Sequence, residues 1–333
     1  MNSEPSLKDL NTFGFDVRCN RIVRIDSVEV LKSYISETES LYMILGGGSN
    51  VLFTSNFQGD ILLNSLSGKD ILEESHEFVK LKIGSGENWH ELVNWCVNNG
   101  FGGIENMAMI PGSVGAAPIQ NIGAYGVEIK DVLNEVEFIN LETQIPSTLL
   151  NDECNFAYRN SIFKNELKGK VFITSITITL QKNRKPDLSY WALSQHLTKN
   201  RIEDPSILDV FNAVVAVRQS KLPDPAVLGN SGSFFKNPVL NKEAFERALE
   251  EHPDLRYFEI DDQRYKVAAG WLIEQCGWKG KRIGNTGCHD KQALVLVNYG
   301  DATGEEVWNL AKEIIKSVDD KFGFTLEAEV NII

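Results

Sequence analysis

The stretch that most restricts this chain is Ile110–Gly126, in which Tyr125 is the one side chain that can ionise. It holds four glycines, three alanines and two prolines, so its backbone can turn tightly and approach a flat ligand that bulky side chains would hold away. Its offering to a ligand is mainly main-chain N–H. A tightly packed structural turn shares part of this composition, so the stretch is read as a cofactor cradle with that plainer role beside it.

A second glycine cluster, Gly46–Asn50, follows the short apolar run Leu41–Leu45, which is expected to be a buried strand after a helix carrying Val28, Leu31 and Ile35. Three glycines after a strand can form a nest of N–H groups for a pyrophosphate, with donors added by Ser49 and Asn50. A glycine-rich turn between strands looks the same. Neither Gly-Lys-[Ser/Thr] nor a completed Gly-x-Gly-x-x-Gly is present.

Composition narrows the partners. With 33 basic against 46 acidic side chains the formal charge is −13, which disfavours nucleic acid and anionic membrane surfaces, so an anionic substrate needs a locally basic pocket. Cys19, Cys96, Cys154, Cys276 and Cys288 form no Cys-x-x-Cys pair and are expected to be free thiols. His76, His90, His196, His252 and His289 include no i, i+4 pair with an acid between, so no metal is expected and all five are taken as surface or core residues. Met1–Lys8 shows no apolar signal core, and no run of about 18 apolar residues occurs. A soluble, cytoplasmic protein is expected.

Along the chain, Ile61–Asn64 and Phe78–Ile83 have strand character, and Asn88 with Glu91 caps a helix whose apolar face is Trp89, Leu92, Val93 and Cys96, ended by Gly100. Val132–Thr143 and Val171–Gln181 are expected as long strands. Between them Arg159 stands among aromatic and small polar residues, as a surface arginine or a buried anion contact. Ser206 and Asp209 start a helix bearing Phe211, Val214, Val215 and Arg218 on one side, and Lys221–Pro225, with two prolines in three positions, closes it at a domain boundary. Gly229–Pro238 brings Ser233, Lys236 and Asn237 together, either as a turn before a strand or as a second wall of a site. Helices after Asn241, over Ala268–Cys276 and over Val307–Val318, with a strand at Gln292–Asn298, make an α+β module. Thr325–Ile333 alternates as a strand should, with Glu327 and Glu329 on the face opposite Leu326 and Val330; a solvated face accounts for both glutamates.

Taken in order, Gly46–Asn50, Ile110–Gly126, Tyr158–Ser161, Lys221–Pro225, Gly229–Pro238, Ala268–Ile273 and Leu326–Val330 resemble the motifs of the UDP-N-acetylenolpyruvoylglucosamine reductase family over nearly the whole length. The resemblance implies an α+β protein with an FAD-binding fold of the vanillyl-alcohol oxidase type in two subdomains, 1–67 and 68–222, with 324–333 returning to the second, and a C-terminal substrate-binding domain, 223–323. It implies bound FAD, NADPH as co-substrate, and reduction of UDP-N-acetylglucosamine enolpyruvate to UDP-N-acetylmuramate for peptidoglycan synthesis, by a monomer.

By the same resemblance Arg159, Ser233 and Glu329 are catalytic. Gly46, Gly47, Gly48, Ser49, Asn50, Ile110, Pro111, Gly112, Ser113, Gly115, Ala116, Ile122, Gly123, Ala124 and Tyr125 lie along FAD. Tyr190, Lys221, Asn237 and Gln292 hold the UDP diphosphate. Tyr190 points to the subtype whose tyrosine-bearing loop closes over the nucleotide. Two departures stand out: Gly47 replaces an acidic residue common in the family, and the chain stops at Ile333 without the longer tail of some members.

Overall fold

A computed structural model describes residues 4–333. The chain forms two compact units, one of Asn20–Gly47 and Gln58–Ser220, the other of residues 4–19, Gly48–Phe57 and Lys221–Ile333. These units divide the chain differently from the expected functional domains: Gly48–Phe57 and 324–333 belong with the C-terminal residues.

In the first unit, strands β1 (Cys19–Ile25), β2 (Tyr42–Leu45) and β3 (Phe57–Asn64) form a sheet in the order β1-β3-β2, with β2 and β3 parallel. Helix α1 (Val28–Glu37) is capped by Ser27 and buries Leu31 and Tyr34. A larger antiparallel sheet follows from β4 (Lys69–Glu74), β5 (Phe78–Gly84), β6 (Leu133–Asn140), β7 (Pro146–Leu150) and β8 (Val171–Lys182), in the order β7-β6-β8-β5-β4.

Helix α2 (Trp89–Asn98) packs as its spacing requires. Trp89, Leu92, Val93, Cys96 and Val97 are all buried, Asn88 Oδ1 accepts the Glu91 N–H at 3.0 Å, and Gly100 takes φ +76° just past the end. Each such side chain taken from water contributes roughly 1.5–3 kcal/mol. Helices α3 (Trp191–Lys199) and α4 (Ile207–Lys221) complete the unit, and α4 begins with Ser206 and Asp209 bonding reciprocally. No helix among the described residues is long and apolar enough to cross a membrane.

In the second unit, strands β9 (Gly229–Ser233), β10 (Val239–Asn241), β11 (Tyr257–Glu259), β12 (Arg264–Val267), β13 (Arg282–Ile283), β14 (Thr286–Cys288) and β15 (Val295–Asn298) form two antiparallel sheets, β9-β15-β14-β13 and β10-β12-β11. Helices α5 (Lys242–Glu251), α6 (Ala269–Gln275) and α7 (Gly304–Phe322) accompany them. Thr303 and Glu306 cap α7, whose buried face carries Val307, Leu310, Ala311, Ile314, Val318 and Phe322.

Three strands come out shorter than the sequence implies, the one expected over Val132–Thr143 spanning Leu133–Asn140. Strand β15 starts at Val295 because residues 292–295 turn, the Val295 N–H bonding to the Gln292 carbonyl at 3.0 Å. The final segment is a strand only at Asn331–Ile332, which pairs in parallel with Val51–Leu52, while Ala328 makes an isolated bridge to Phe235. One segment serves two partners there, so it forms no continuous ladder. Its alternation still governs burial: Leu326 and Val330 are buried and Glu327 is exposed, but Glu329 is half-buried.

Candidate active site

In the first unit the 110–115 loop is laced to the chain before and within α2. The Gly112 carbonyl accepts the Trp89 N–H (3.0 Å), Val114 N–H donates to the Glu87 carbonyl (2.8 Å), and Gly115 N–H donates to the Ser85 carbonyl (2.8 Å). A β-carbon on Gly115 would stand 2.7 Å from Ser85 Cβ, which is why glycine is required there. Gly47 runs against Gly112 so closely that a β-carbon on it would meet the Gly112 Cα at 2.9 Å. Any side chain at Gly47 would therefore need the 110–115 loop displaced.

The N–H groups of Gly47, Gly48 and Ser49 donate to nothing among the described residues. Donors left over in a glycine turn suit an anionic oxygen. Within the first unit, the backbones of Gly47 and Gly112 in contact fit the flat face of a ligand, and the Gly47 amide fits an anionic oxygen on it. Ser113 is buried, and Pro111 and Ala116 are exposed. Ile122 turns its side chain into the core, with its N–H and carbonyl bonded to Ala117 and Ile129.

Residues 123–128 form a small hairpin, Gly123–Ala124 against Val127–Glu128, with Tyr125 at φ +51° at its tip. Arg159 stands beside it and donates from its guanidinium to the Gly123 carbonyl at 2.9 Å, with its own backbone at φ +52°. Lys164 Nζ donates to the Arg159 carbonyl at 3.2 Å. A non-glycine residue in this region costs roughly 1–2 kcal/mol, so the conformation is imposed by its surroundings.

Tyr190 packs edge-on against Tyr125, ring centres 5.1 Å apart. Asn106 joins the two segments, donating to the Tyr125 carbonyl (2.9 Å) and the Asp187 carbonyl (3.0 Å). Arg218, on the inner side of α4, is the residue that sequence reasoning left out of the site. Its Nε is shielded from solvent without a hydrogen-bond partner, and burial pulls its pKa down, opposed by Tyr125 and reinforced by nearby Arg159. An arginine amid Val210, Phe211, Val214 and Val217 on an apolar helix face was the available signal. Arg218 against Tyr125, with the Arg159 guanidinium near it on the Gly123 carbonyl of the same hairpin, gives this acidic protein a local cationic site.

The second unit holds the other candidates. Ser233 ends β9, exposed, and the next residue's carbonyl accepts the Glu329 N–H at 2.8 Å, so Ser233 and Glu329 lie on adjacent segments. Asn50 Nδ2 donates to the Glu329 carbonyl at 3.3 Å, tying the glycine turn to the same strip. Asn237 Oδ1 accepts the Ala269 N–H (2.9 Å) at the start of α6, and Gln292 Oε1 accepts the Leu294 N–H (3.3 Å). Lys221 is exposed at the end of α4, and Lys236 is neutralised by Glu327 at 2.7 Å.

Comparison with known proteins joins the two halves. Residues 21–145 match the family model described as FAD binding domain, and residues 224–333 match UDP-N-acetylenolpyruvoylglucosamine reductase, C-terminal domain. A UDP-N-acetylenolpyruvoylglucosamine reductase of Flavobacterium johnsoniae is 50% identical, with 100% of this chain and 99% of that protein covered; one of Chromobacterium violaceum is 44% identical over 99% and 98%. The crystal structure of such a reductase from Thermus caldophilus superposes with a TM-score of 0.68 at 23% identity, covering 99% and 98%, and establishes the shared fold. With this identity sustained over the full length and both domain models matched in order, the chain belongs to the UDP-N-acetylenolpyruvoylglucosamine reductase family, an α+β flavoprotein with an FAD-binding domain.

Proposed function

We infer that the protein uses NADPH to reduce the enolpyruvyl group of UDP-N-acetylglucosamine enolpyruvate, giving UDP-N-acetylmuramate for peptidoglycan synthesis, with Arg159, Ser233 and Glu329 as its catalytic residues. When bound along residues 46–50, 110–116 and 122–125, FAD would supply the hydride chemistry that links NADPH to the methylene carbon of the enolpyruvyl group. The chain's own residues must then deal with charge and a proton. Negative charge builds next to the substrate carboxylate, where the guanidinium of Arg159 offsets it. The Ser233 hydroxyl protonates the adjacent carbon, and Glu329 accompanies Arg159 at the carboxylate.

The observation that carries this reading is the adjacency of Ser233 and Glu329, fixed by the 2.8 Å bond from Glu329 N–H to the Phe234 carbonyl. It supports a proton donor and a carboxyl group working on one substrate. Tyr190, Lys221, Asn237 and Gln292 take the diphosphate in the same proposal. So do the cofactor residues of 46–50, 110–116 and 122–125, and the assignment of 1–67 and 68–222 to FAD and 223–323 to substrate. A cytoplasmic, monomeric enzyme completes it, and sedimentation of the purified protein measures the last point.

The test is anaerobic. NADPH should bleach the bound flavin and the UDP-enolpyruvyl sugar should recolour it; substrate that leaves the reduced flavin unchanged while air reoxidises it quickly would refute the reductase reading. Ser233→Ala should keep FAD and be reduced by NADPH nearly as before, yet recolour roughly 10²–10⁴-fold more slowly. Recolouring at the parental rate removes Ser233 from the role of acid.

A further inference from the structure

His90 lies outside every role assigned above, yet it holds the entrance to the 110–115 loop. Its side chain leaves the first turn of α2, stacks on Phe211 of α4 with ring centres 5.7 Å apart and planes 6° from parallel, and turns Nδ1 toward the loop. Nδ1 accepts the Met109 N–H at 3.1 Å. Met109 has φ +56°, a conformation that a side-chain-bearing residue takes only when held, and Gly112 at φ +109° follows three residues later. Trp89 grips both flanks, its indole N–H on the Met107 carbonyl (3.0 Å) and its main-chain N–H on the Gly112 carbonyl (3.0 Å). Among these three bonds the middle one alone depends on protonation state. An imidazole nitrogen that accepts carries no proton, so the bond requires neutral His90 in its Nε2–H form.

We propose that His90 is a positioning residue for the cofactor: by accepting the Met109 N–H, its neutral ring keeps the loop entrance in the shape that receives FAD, and protonation releases it. This rests on the reading that residues 110–115 lie along FAD. The surroundings oppose protonation at neutral pH. Burial lowers the His90 pKa, Arg218 from α4 acts in the same direction, and Glu91 on α2 works against them. Phe211 and the 107–110 segment bring no titratable group to the ring. Acid therefore has to open the loop to protonate the ring, and FAD affinity falls as pH falls.

The experiment is FAD titration of the apoprotein, followed by flavin fluorescence at about pH 7.5 and about pH 5.5, an interval in which a histidine freed to solvent by the opened loop titrates while the held ring, its pKa lowered by burial, stays neutral. The parent should bind up to about tenfold more weakly at the lower pH. His90→Asn, whose amide oxygen reaches about where Nδ1 stands and does not titrate, should bind nearly equally at both. His90→Leu, which cannot accept, should bind roughly fivefold more weakly at both, the worth of one hydrogen bond. Parental affinity in His90→Leu, failure of His90→Asn to restore it at the higher pH, or an undiminished acid loss in His90→Asn would each overturn the proposal. Gly112→Ala separates the two levels: it should weaken FAD whatever His90 does, and unchanged affinity there would overturn the placement of the loop itself.

Discussion

Alanine at Gly48 creates a collision whose size can be worked out from the surrounding bonds. A β-carbon there would lie 1.9 Å from the Leu10 carbonyl oxygen, 2.7 Å from its carbon and 3.1 Å from Asn11 Cα, and the residue sits at φ +61°. The left-handed backbone alone costs an alanine roughly 1–2 kcal/mol. Relief of the contact needs a retreat of more than about 1 Å toward ordinary van der Waals distance. The Leu10 carbonyl is poorly able to make it. Asn11, buried beside it, donates to the carbonyls of Leu7 (2.7 Å) and Phe15 (3.0 Å) and accepts the Phe15 N–H (3.0 Å), while Thr12 N–H donates to the Gly48 carbonyl itself at 3.1 Å.

Losing one or two of these bonds adds about 1–2 kcal/mol, so Gly48→Ala should destabilise by about 3 kcal/mol in all. Gly14 isolates the backbone contribution, because it has φ +72° with nothing within 4 Å of a built β-carbon, and Gly14→Ala should lose only about 1 kcal/mol. Urea unfolding of both apoproteins measures the difference of about 2 kcal/mol, and FAD titration measures whether the displaced amides of Gly48 and Ser49 matter to the cofactor. Gly48→Ala unfolding alongside Gly14→Ala, with FAD bound as in the parent, would refute both the clash and the cradle.

The remaining predictions concern a pH effect and Tyr190. The Tyr34 hydroxyl is pushed up from 10.0 to about 12 by burial and by the Asp60 carboxylate that accepts its hydrogen bond at 2.9 Å. A raised phenol pKa means stability that is complete below about pH 10 and lost as pH rises toward 12. Thermal denaturation across that window should show the loss, and Tyr34→Phe should remove this part of the slope; an unchanged slope would assign it to other groups. Tyr190→Phe should raise KM for the UDP sugar about tenfold, the worth of one charge-assisted hydrogen bond, without altering FAD affinity or reduction by NADPH. A variant that instead loses FAD would place Tyr190 with the cofactor through its contact with Tyr125.

The sequence by itself determined the local elements and the residue types of the two glycine-rich turns. Trp89, Leu92, Val93 and Cys96 have one spacing and one buried face, and Asn88 and Gly100 bound their helix. Such features lie within a few turns of chain, where periodicity and capping act directly. The glycines of 46–48 and 110–126 were legible for a related reason, since close backbone approach leaves no other residue to choose.

Tertiary structure alone decided what depends on a distant partner. It shortened the final strand, because 326–332 must serve both Phe235 and Val51–Leu52. It made Arg218 more than a residue on the inner side of α4 by leaving its Nε shielded beside Tyr125 and Arg159. It also turned His90, an ordinary core or surface histidine by sequence, into the acceptor for Met109. Left-handed backbone at Met109, Tyr125 and Arg159 belongs to the same class: none of these residues prefers it, and each is held there by bonds and packing that cross the sequence.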